Sequence, residues 1–331
     1  MNKKLIALAV AGSLAAPMLA HAEAPTVYGK VHLYYGTITE KSGTPLVTTA
    51  DNWQMQSYAS RFGVKGEHDL GGGLAATYKF EWEVNPLDST DSGFSRRNMY
   101  GGLKGGWGEV RFGRHDTPLK MSQGKFDQFN DTLGDLKHAG DQDGENRLDN
   151  VLAYLGKSGN ISYAIALIPG QGDGVTVGDG PADTISASIA YSAGPLYVAV
   201  AHDSYDSTNP ATTEDSLTRV TGTYKFGSGM QLGLLWQSGV EGPTTSGNEE
   251  DWLGASFSAK FGGSNKFKAQ YIMTEDNAAT KRESTLMAVG VDHKFSKKVT
   301  GYVMYSSLTE DLGGAENTDN SSAGVGLVVK F

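Results

Sequence analysis

The stretch Ala323-Gly324-Val325-Gly326-Leu327-Val328-Val329-Lys330-Phe331 ends the chain and decides how the rest is read. Ala323, Val325, Leu327, Val329 and Phe331 fall on one face, and Gly324, Gly326, Val328 and Lys330 on the other. A period of two is that of a β-strand, here with one apolar face and one small or polar face. The pattern recurs upstream. Ile161, Tyr163, Ile165 and Leu167 alternate with Asn160, Ser162, Ala164 and Ala166. Ile185, Ala187, Ile189 and Tyr191 alternate with Ser186, Ser188 and Ala190, as do Met230, Leu232, Leu234 and Trp236 with Gln231, Gly233, Leu235 and Gln237.

The composition agrees with an all-β chain. Of 331 residues, 44 are Gly, 15 are Tyr and none is Cys, and charged residues make up only 20%. Mean hydropathy is -0.34, and no apolar run near 20 residues follows residue 22, which excludes transmembrane helices. A transmembrane barrel survives that test, because only every second residue of its strands meets lipid. At the start, Lys3 and Lys4 precede an apolar run from Leu5 to Leu19 and the site Ala20-His21-Ala22. This reads as a secretory signal peptide, residues 1–22, cleaved before Glu23 to leave a mature chain 23–331. Removing Lys3 and Lys4 takes the net charge from -9 to -11, and that acidity excludes nucleic acid as a partner. The lack of Cys excludes a lipid-anchored lipoprotein and a disulfide framework.

Two kinds of connection take turns between the alternating segments. Short ones are centred on Gly71-Gly72-Gly73, Gly105-Gly106-Trp107, 156–159, Ala193-Gly194-Pro195, Gly227-Ser228-Gly229, Gly262-Gly263-Ser264 and Ser296-Lys297-Lys298. Longer polar stretches lie near 40–52, 86–94, 116–145, 169–182, 204–215, 239–250, 275–283 and 309–319. Seven turns and eight loops separate sixteen strands, at about 19 residues per strand with its connection, enough for the ~9–11 residues that cross a bilayer. A soluble β-sandwich has no reason to alternate loop lengths so regularly. The expected fold is a 16-stranded antiparallel transmembrane β-barrel, closed because no strand edge can be left unpaired in hydrocarbon. Val27, Gly29, Val31, Leu33 and Tyr35 supply the outward face of the first strand, and Tyr28, Tyr34, Tyr78, Tyr100, Tyr224, Phe226, Tyr271, Phe295, Tyr302, Tyr305 and Phe331 are expected in aromatic girdles. Lysines such as Lys104, Lys157, Lys225, Lys260, Lys266 and Lys294 flank the short turns, whereas the long loops collect Asp173, Asp179, Asp206, Glu249, Glu250, Glu310 and Glu316. These acidic outer loops are candidates for weak calcium sites and for concentrating cations at the mouth.

Ser60-Arg61-Phe62-Gly63-Val64-Lys65-Gly66, Gly102-Leu103-Lys104-Gly105, Asn146-Arg147-Leu148-Asp149-Asn150-Val151 and Phe295-Ser296-Lys297-Lys298-Val299-Thr300 resemble, in this order along the chain, segments of the Gram-negative general porins. Ser60-Arg61-Phe62-Gly63-Val64-Lys65-Gly66 with Asp69-Leu70-Gly71 is similar to the family's second strand and first turn, and Gly102-Leu103-Lys104-Gly105 through Val110-Arg111-Phe112-Gly113-Arg114 to the hairpin before its third loop. Asn146-Arg147-Leu148-Asp149-Asn150-Val151 with Tyr154 resembles the strand leaving that loop, and Phe295-Ser296-Lys297-Lys298-Val299-Thr300 with Tyr302 a turn near the family's end. The Pro-Glu-Phe-Gly-Gly-Asp pattern of enterobacterial porins is absent. The resemblance implies a homotrimer in the outer membrane, in contact with its lipid and lipopolysaccharide, and a terminal Phe331 read by the barrel-insertion machinery. It implies a third loop, 116–145, folded into the barrel, with wall arginines facing loop carboxylates. By motif the wall residues are Arg61, Arg97 and Arg147, and the loop carboxylates Asp131 and Asp135, with Asp127 next. Lys65 and Arg114 are further lumen candidates. Parity supports Arg61 independently: a lipid-facing Arg at the midplane costs ~2–4 kcal/mol, so Phe62 and Val64 face lipid and Arg61, Gly63 and Lys65 the lumen.

The function implied is passive diffusion of small hydrophilic solutes and ions through a water-filled channel, with no cofactor and no bond made or broken. Alternatives are a substrate-specific channel, a barrel enzyme such as a protease or phospholipase, and an adhesin with a blocked lumen. The histidines, among them His32, His68, His115, His138, His202 and His293, show no metal-ligand spacing, and Gly170-Gln171-Gly172-Asp173-Gly174 is no nucleotide fingerprint. Three wall arginines draw anions while the net charge and acidic loops draw cations, and the balance falls slightly on the cation side.

Overall fold

The computed structural model describes residues 24–87, 93–141, 144–169, 180–205, 214–241, 248–278, 281–313 and 317–331. The leader read at 1–22 lies outside the described residues. The strands are β1 (Thr26–Ser42), β2 (Val47–Ser57), β3 (Arg61–Gly71), β4 (Leu74–Val84), β5 (Phe94–Gly105), β6 (Gly108–Asp116), β7 (Arg147–Ser158), β8 (Ile161–Ile168) and β9 (Thr184–Ala193). They continue with β10 (Leu196–Tyr205), β11 (Glu214–Lys225), β12 (Gln231–Glu241), β13 (Glu249–Phe261), β14 (Asn265–Asp276), β15 (Glu283–Lys294), β16 (Val299–Asp311) and β17 (Thr318–Lys330).

β2 and β3 both pair with β1, over 33–42 and 26–30 respectively, so they are two halves of one stave and the barrel has sixteen. They part at Tyr58-Ala59-Ser60, where Ala59 adopts φ 48°. Side chain and backbone repair the gap: His32 N–H donates to Ser60 Oγ at 2.9 Å, and Tyr58 N–H donates to the His32 carbonyl at 2.9 Å. Closure is completed by β1 against β17, from Lys30 opposite Lys330 to Ser42 opposite Thr318. Beyond the strand end, Phe331 N–H donates to the Gly29 carbonyl at 3.1 Å and Gly29 N–H to the Phe331 carbonyl at 3.2 Å. Deleting Phe331 is expected to lower the unfolding temperature in detergent by a few degrees, since each hydrogen bond contributes about 1 kcal/mol; an unchanged transition on heated gels would refute that.

All seven short turns fall where they are expected, and Gly71, Gly72 and Gly73 hold φ 79°, 62° and 79°, which side chains resist. The first long loop is shorter than the sequence suggests. Residues 40–52 read as a polar loop, yet β1 and β2 stay paired to Ser42 and Val47. Above the bilayer a hairpin needs no apolar face, so backbone pairing continues where the alternation stops. Val325, Leu327, Ile161, Leu234 and Trp236 are exposed on the outer face, as their parity requires. Tyr224, Phe226, Tyr271, Phe295, Tyr305 and Phe331 are likewise exposed. Tyr28, Tyr34, Tyr100 and Tyr302 do not join a girdle. Tyr34 and Tyr302 pack inside with Phe129, Tyr28 bonds Glu81, and the Tyr100 ring carries Arg111. Nearness to a strand end places a ring by height; its parity places it inside.

Candidate functional site: the third loop and the facing wall

The chain from Asp116 to Arg147 enters the barrel and is fastened along one side of it. It opens with a short helix, Pro118–Ser122, in which proline pre-sets the first turn and the Thr117 side chain accepts from Lys120 N–H at 3.1 Å. Leu119 is buried with Ala201 and Leu217. Phe126, Leu136 and Ala139 pack on inward-facing Leu235, Trp252, Ile272 and Leu286. Phe129 closes on Tyr34, Tyr58, Ala288, Tyr302 and Met304. A water-filled lumen has no use for leucine and tryptophan on its wall; these positions are apolar because the loop covers them, and each large side chain so buried contributes about 1.5–3 kcal/mol.

A buried ionic knot ties both ends of the loop to the wall. Arg219 of β11 is fully buried; its Nη1 lies 2.8 Å from Glu145 Oε1, and its Nε donates to Gln237 Oε1 at 2.6 Å. Gln123 Nε2 donates to the other Glu145 oxygen at 2.8 Å, and Lys120 Nζ to the Glu145 carbonyl at 2.6 Å. Entry and exit of the loop therefore meet on one guanidinium.

The opposite side of the loop faces β1 to β7. Asp131 sits at φ 66°, a left-handed conformation that aspartate tolerates better than most residues. Its carboxylate meets Lys30 Nζ at 2.6 Å and the Arg61 guanidinium. Burial alone would raise this carboxyl, but Arg61 and Lys30 outweigh it and hold it down to about 2. Arg97 reaches Glu81 at 2.9 Å and also Glu83, and Arg147 reaches Asp116 at 2.9 Å and Asn98 at 3.2 Å. A space of about 680 Å³ lies between loop and wall, lined by Arg61, Arg97, Arg147, Glu83, Asp116 and Asp131 among others. A second, of about 480 Å³, lies beside Lys30, His32, Phe129 and Tyr302. Both spaces are lined by Arg61, Asn130, Asp131 and Thr132, so they meet there.

The expected site residues therefore separate. Arg61 and Asp131 are together, and Arg97 and Arg147 line the same space, each opposite a wall carboxylate. Asp127 and Asp135 brace the loop. Asp127 accepts from Phe129 N–H at 2.7 Å and Leu136 N–H at 3.2 Å, and burial, then the Asp135 charge, raise its carboxyl well above the usual range. Asp135 caps the turn Leu136–His138 and accepts from Asp131 N–H at 2.6 Å. Lys65 lies over the Tyr28 ring at 5.4 Å. Arg114 is not in the lumen. It is the cross-strand partner of Met99, which pairs with exposed Phe80, so all three share the outer face, and Arg114 joins Asp149 there at 3.0 Å. Arg114 stands two residues after Phe112, which is exposed on the outer face, so the unbroken alternation of β6 against β5 already points it outward. Sequence reasoning missed Lys30, Glu81, Glu83, Glu145 and Arg219. Lys79-x-Glu81-x-Glu83 was legible, since charges at a period of two in a spanning strand must point inward, as for Arg61.

Among the described residues no three His, Asp or Glu are grouped to hold a metal. Asp173, Asp179, Asp206 and Glu316, named for possible calcium binding, lie outside the described residues.

A family model described as Gram-negative porin matches residues 7–312. The chain belongs to the Gram-negative porin family. This porin is 28% identical to the major outer membrane protein P.IB of Neisseria meningitidis serogroup A over all of both chains. It is 26% identical to outer membrane porin protein 32 of Delftia acidovorans, covering 98% of this chain and 92% of that one. Its fold is that of the anion-selective porin from Comamonas acidovorans, with a TM-score of 0.75 at 20% identity over 93% of this chain and 99% of that one. The porin is thus an outer-membrane diffusion channel for small hydrophilic solutes and ions.

Proposed function

We propose that solutes pass between the wall carrying Arg61, Arg97 and Arg147 and the Asp131 edge of the third loop. The observation that carries this is the contact of Asp131 with Arg61 and Lys30 where the two lumen spaces meet. Cations lie on the wall and the loop carboxylate opposes them, so a transverse field orients dipolar solutes and penalises apolar ones, which would displace oriented water. The path performs no chemistry and uses no cofactor; binding must be weak enough for solutes to leave. Arg61, Arg97 and Arg147 each have a carboxylate within 3 Å or closer, so the constriction is near balance. The slight cation preference then has to come from the acidic outer rim.

The working unit is a homotrimer embedded in outer-membrane lipid and lipopolysaccharide, inserted through recognition of Phe331. Purified protein in a planar bilayer is expected to give ohmic current steps, commonly in threes, with a small reversal potential of cation sign in a salt gradient. Silence from correctly folded protein would overturn the permeation path, and a large reversal potential would overturn the balance.

A further inference from the structure

Charge along one wall of the barrel is sorted by height. On β13 to β16 the loop-side ends pair acid with acid: Glu250 is opposite Asp276, Asp251 opposite Glu275, and Glu283 opposite both Glu275 and Asp311. Lys281 and Arg282 offset part of this. The turn-side ends of the same strands carry lysine. Lys260 is directly opposite Lys266, an arrangement that destabilises a sheet. Lys268 follows on the same face, Lys294 stands on the next stave, and Lys330 stands on β17, beyond β16.

Parity turns these lysines into the lumen. Phe261, Phe267 and Phe295, their immediate neighbours, are exposed on the outer face. Lys268 and Lys330 line the space of about 480 Å³ beneath the third loop. Lys268 is held in place, 4.5 Å over the Phe129 ring and 3.0 Å from Asp292. Lys266 donates to Gln128 of the loop at 2.8 Å. Asp292 is the one acid that the turn-side halves of β13 to β15 direct inward, against four lysines.

We propose that Lys260, Lys266, Lys268, Lys294 and Lys330 form a binding track for small multivalent oxyanions, such as diphosphates and polycarboxylates, on the turn side of the constriction. This rests on the channel reading above. Two features select that class. The ammonium groups lie on three adjacent staves, β13 to β15, and on β17 beyond β16, so an anion with charges spread over several ångströms meets more of them than chloride does. The aromatic floor of Phe129 and Tyr302 gives the uncharged part of an organic anion an apolar surface. Relief of the Lys260–Lys266 repulsion then favours occupancy. Of the loop-side acids, Glu250 and Asp276 share the lysines' inward parity and repel such anions, so entry from the turn side is favoured.

The test is current block by inorganic pyrophosphate, added to one chamber at a time in a planar bilayer. Block is expected from one side, and the Lys266→Gln/Lys294→Gln double variant is expected to raise the blocking concentration about tenfold. Lys281→Gln, on the loop side, should leave it unchanged. Calorimetry of pyrophosphate with detergent-solubilised protein gives the same comparison without current. Conducting channels that show symmetric block, no block, or block indifferent to the double variant would overturn the track while leaving the channel standing. Absence of conductance would instead strike the channel, and calorimetry would still decide the track.

Discussion

Arg219→Met is expected to leave a folded barrel whose third loop no longer holds its place. Removing the guanidinium strands the Glu145 carboxylate in a buried site and takes donors from Gln237 and the Leu119 carbonyl. Breaking a buried ion pair on one side costs about 3–5 kcal/mol, far more than loss of an exposed pair. The barrel itself does not depend on this contact, because its staves are joined by the backbone ladder. The consequence therefore falls on the loop: strongly increased open-channel current noise, and protease cleavage within 117–146 of protein that still migrates as a folded barrel. The double variant Arg219→Met/Glu145→Gln removes both charges of the pair and should recover much of the loss, a coupling that a double-mutant cycle measures. Quiet, protease-resistant channels from the single variant would show that the apolar anchors Leu119, Phe126, Phe129 and Leu136 hold the loop alone.

Asp131→Asn is the substitution expected to move ion selectivity most. It removes one negative charge at the meeting point of the two lumen spaces, takes the ion partner from Lys30 and leaves Arg61 only Glu81, at 4.0 Å. A unit charge at about 4 Å is worth about 1 kcal/mol in water, so the anion-to-cation permeability ratio should rise about threefold to fivefold at low salt, less as screening grows. Wild type should reproduce the variant only in strong acid. The carboxyl is depressed to about 2, so its ion pairs are fully present above its ordinary value near 4 and are lost as the pH falls through about 2. Asp131 therefore contributes a constant selectivity between pH 8 and pH 4. Reversal potentials that match wild type, or a wild-type change attributable to Asp131 near pH 5, would remove it from the constriction. Asp135→Ala is the contrast: it takes away a cap worth about 1 kcal/mol and should loosen the loop tip with little effect on selectivity.

The difference between Asp131 and its neighbours marks where sequence reading stops. Asp127, Asp131 and Asp135 recur every four residues in one polar loop, and nothing in their spacing says which faces water. Asp131 has its carboxylate free to reach the wall because its backbone is left-handed; the other two turn theirs back onto loop N–H groups. Arg61 was legible because its stave is regular and lipid forbids the alternative. Arg114 was misplaced because it was carried over by motif without the parity test that placed Arg61: two residues after Phe112, it shares that ring's outer face.

A period of two, seven short turns alternating with eight long loops, and the cost of an open edge in hydrocarbon are enough to specify a closed sixteen-stave barrel. They depend on local pattern and on a solvent that leaves few solutions. The narrowing of that barrel lies beyond the pattern. Leu235, Trp252, Ile272 and Leu286 are inward positions whose apolar character makes sense only once residues from 126 to 139 are laid across them. Arg219 and Glu145, 74 residues apart, become one anchor only when the wall has curved round to meet the loop. Contacts so distant in sequence leave no periodic trace, and they set where the water runs.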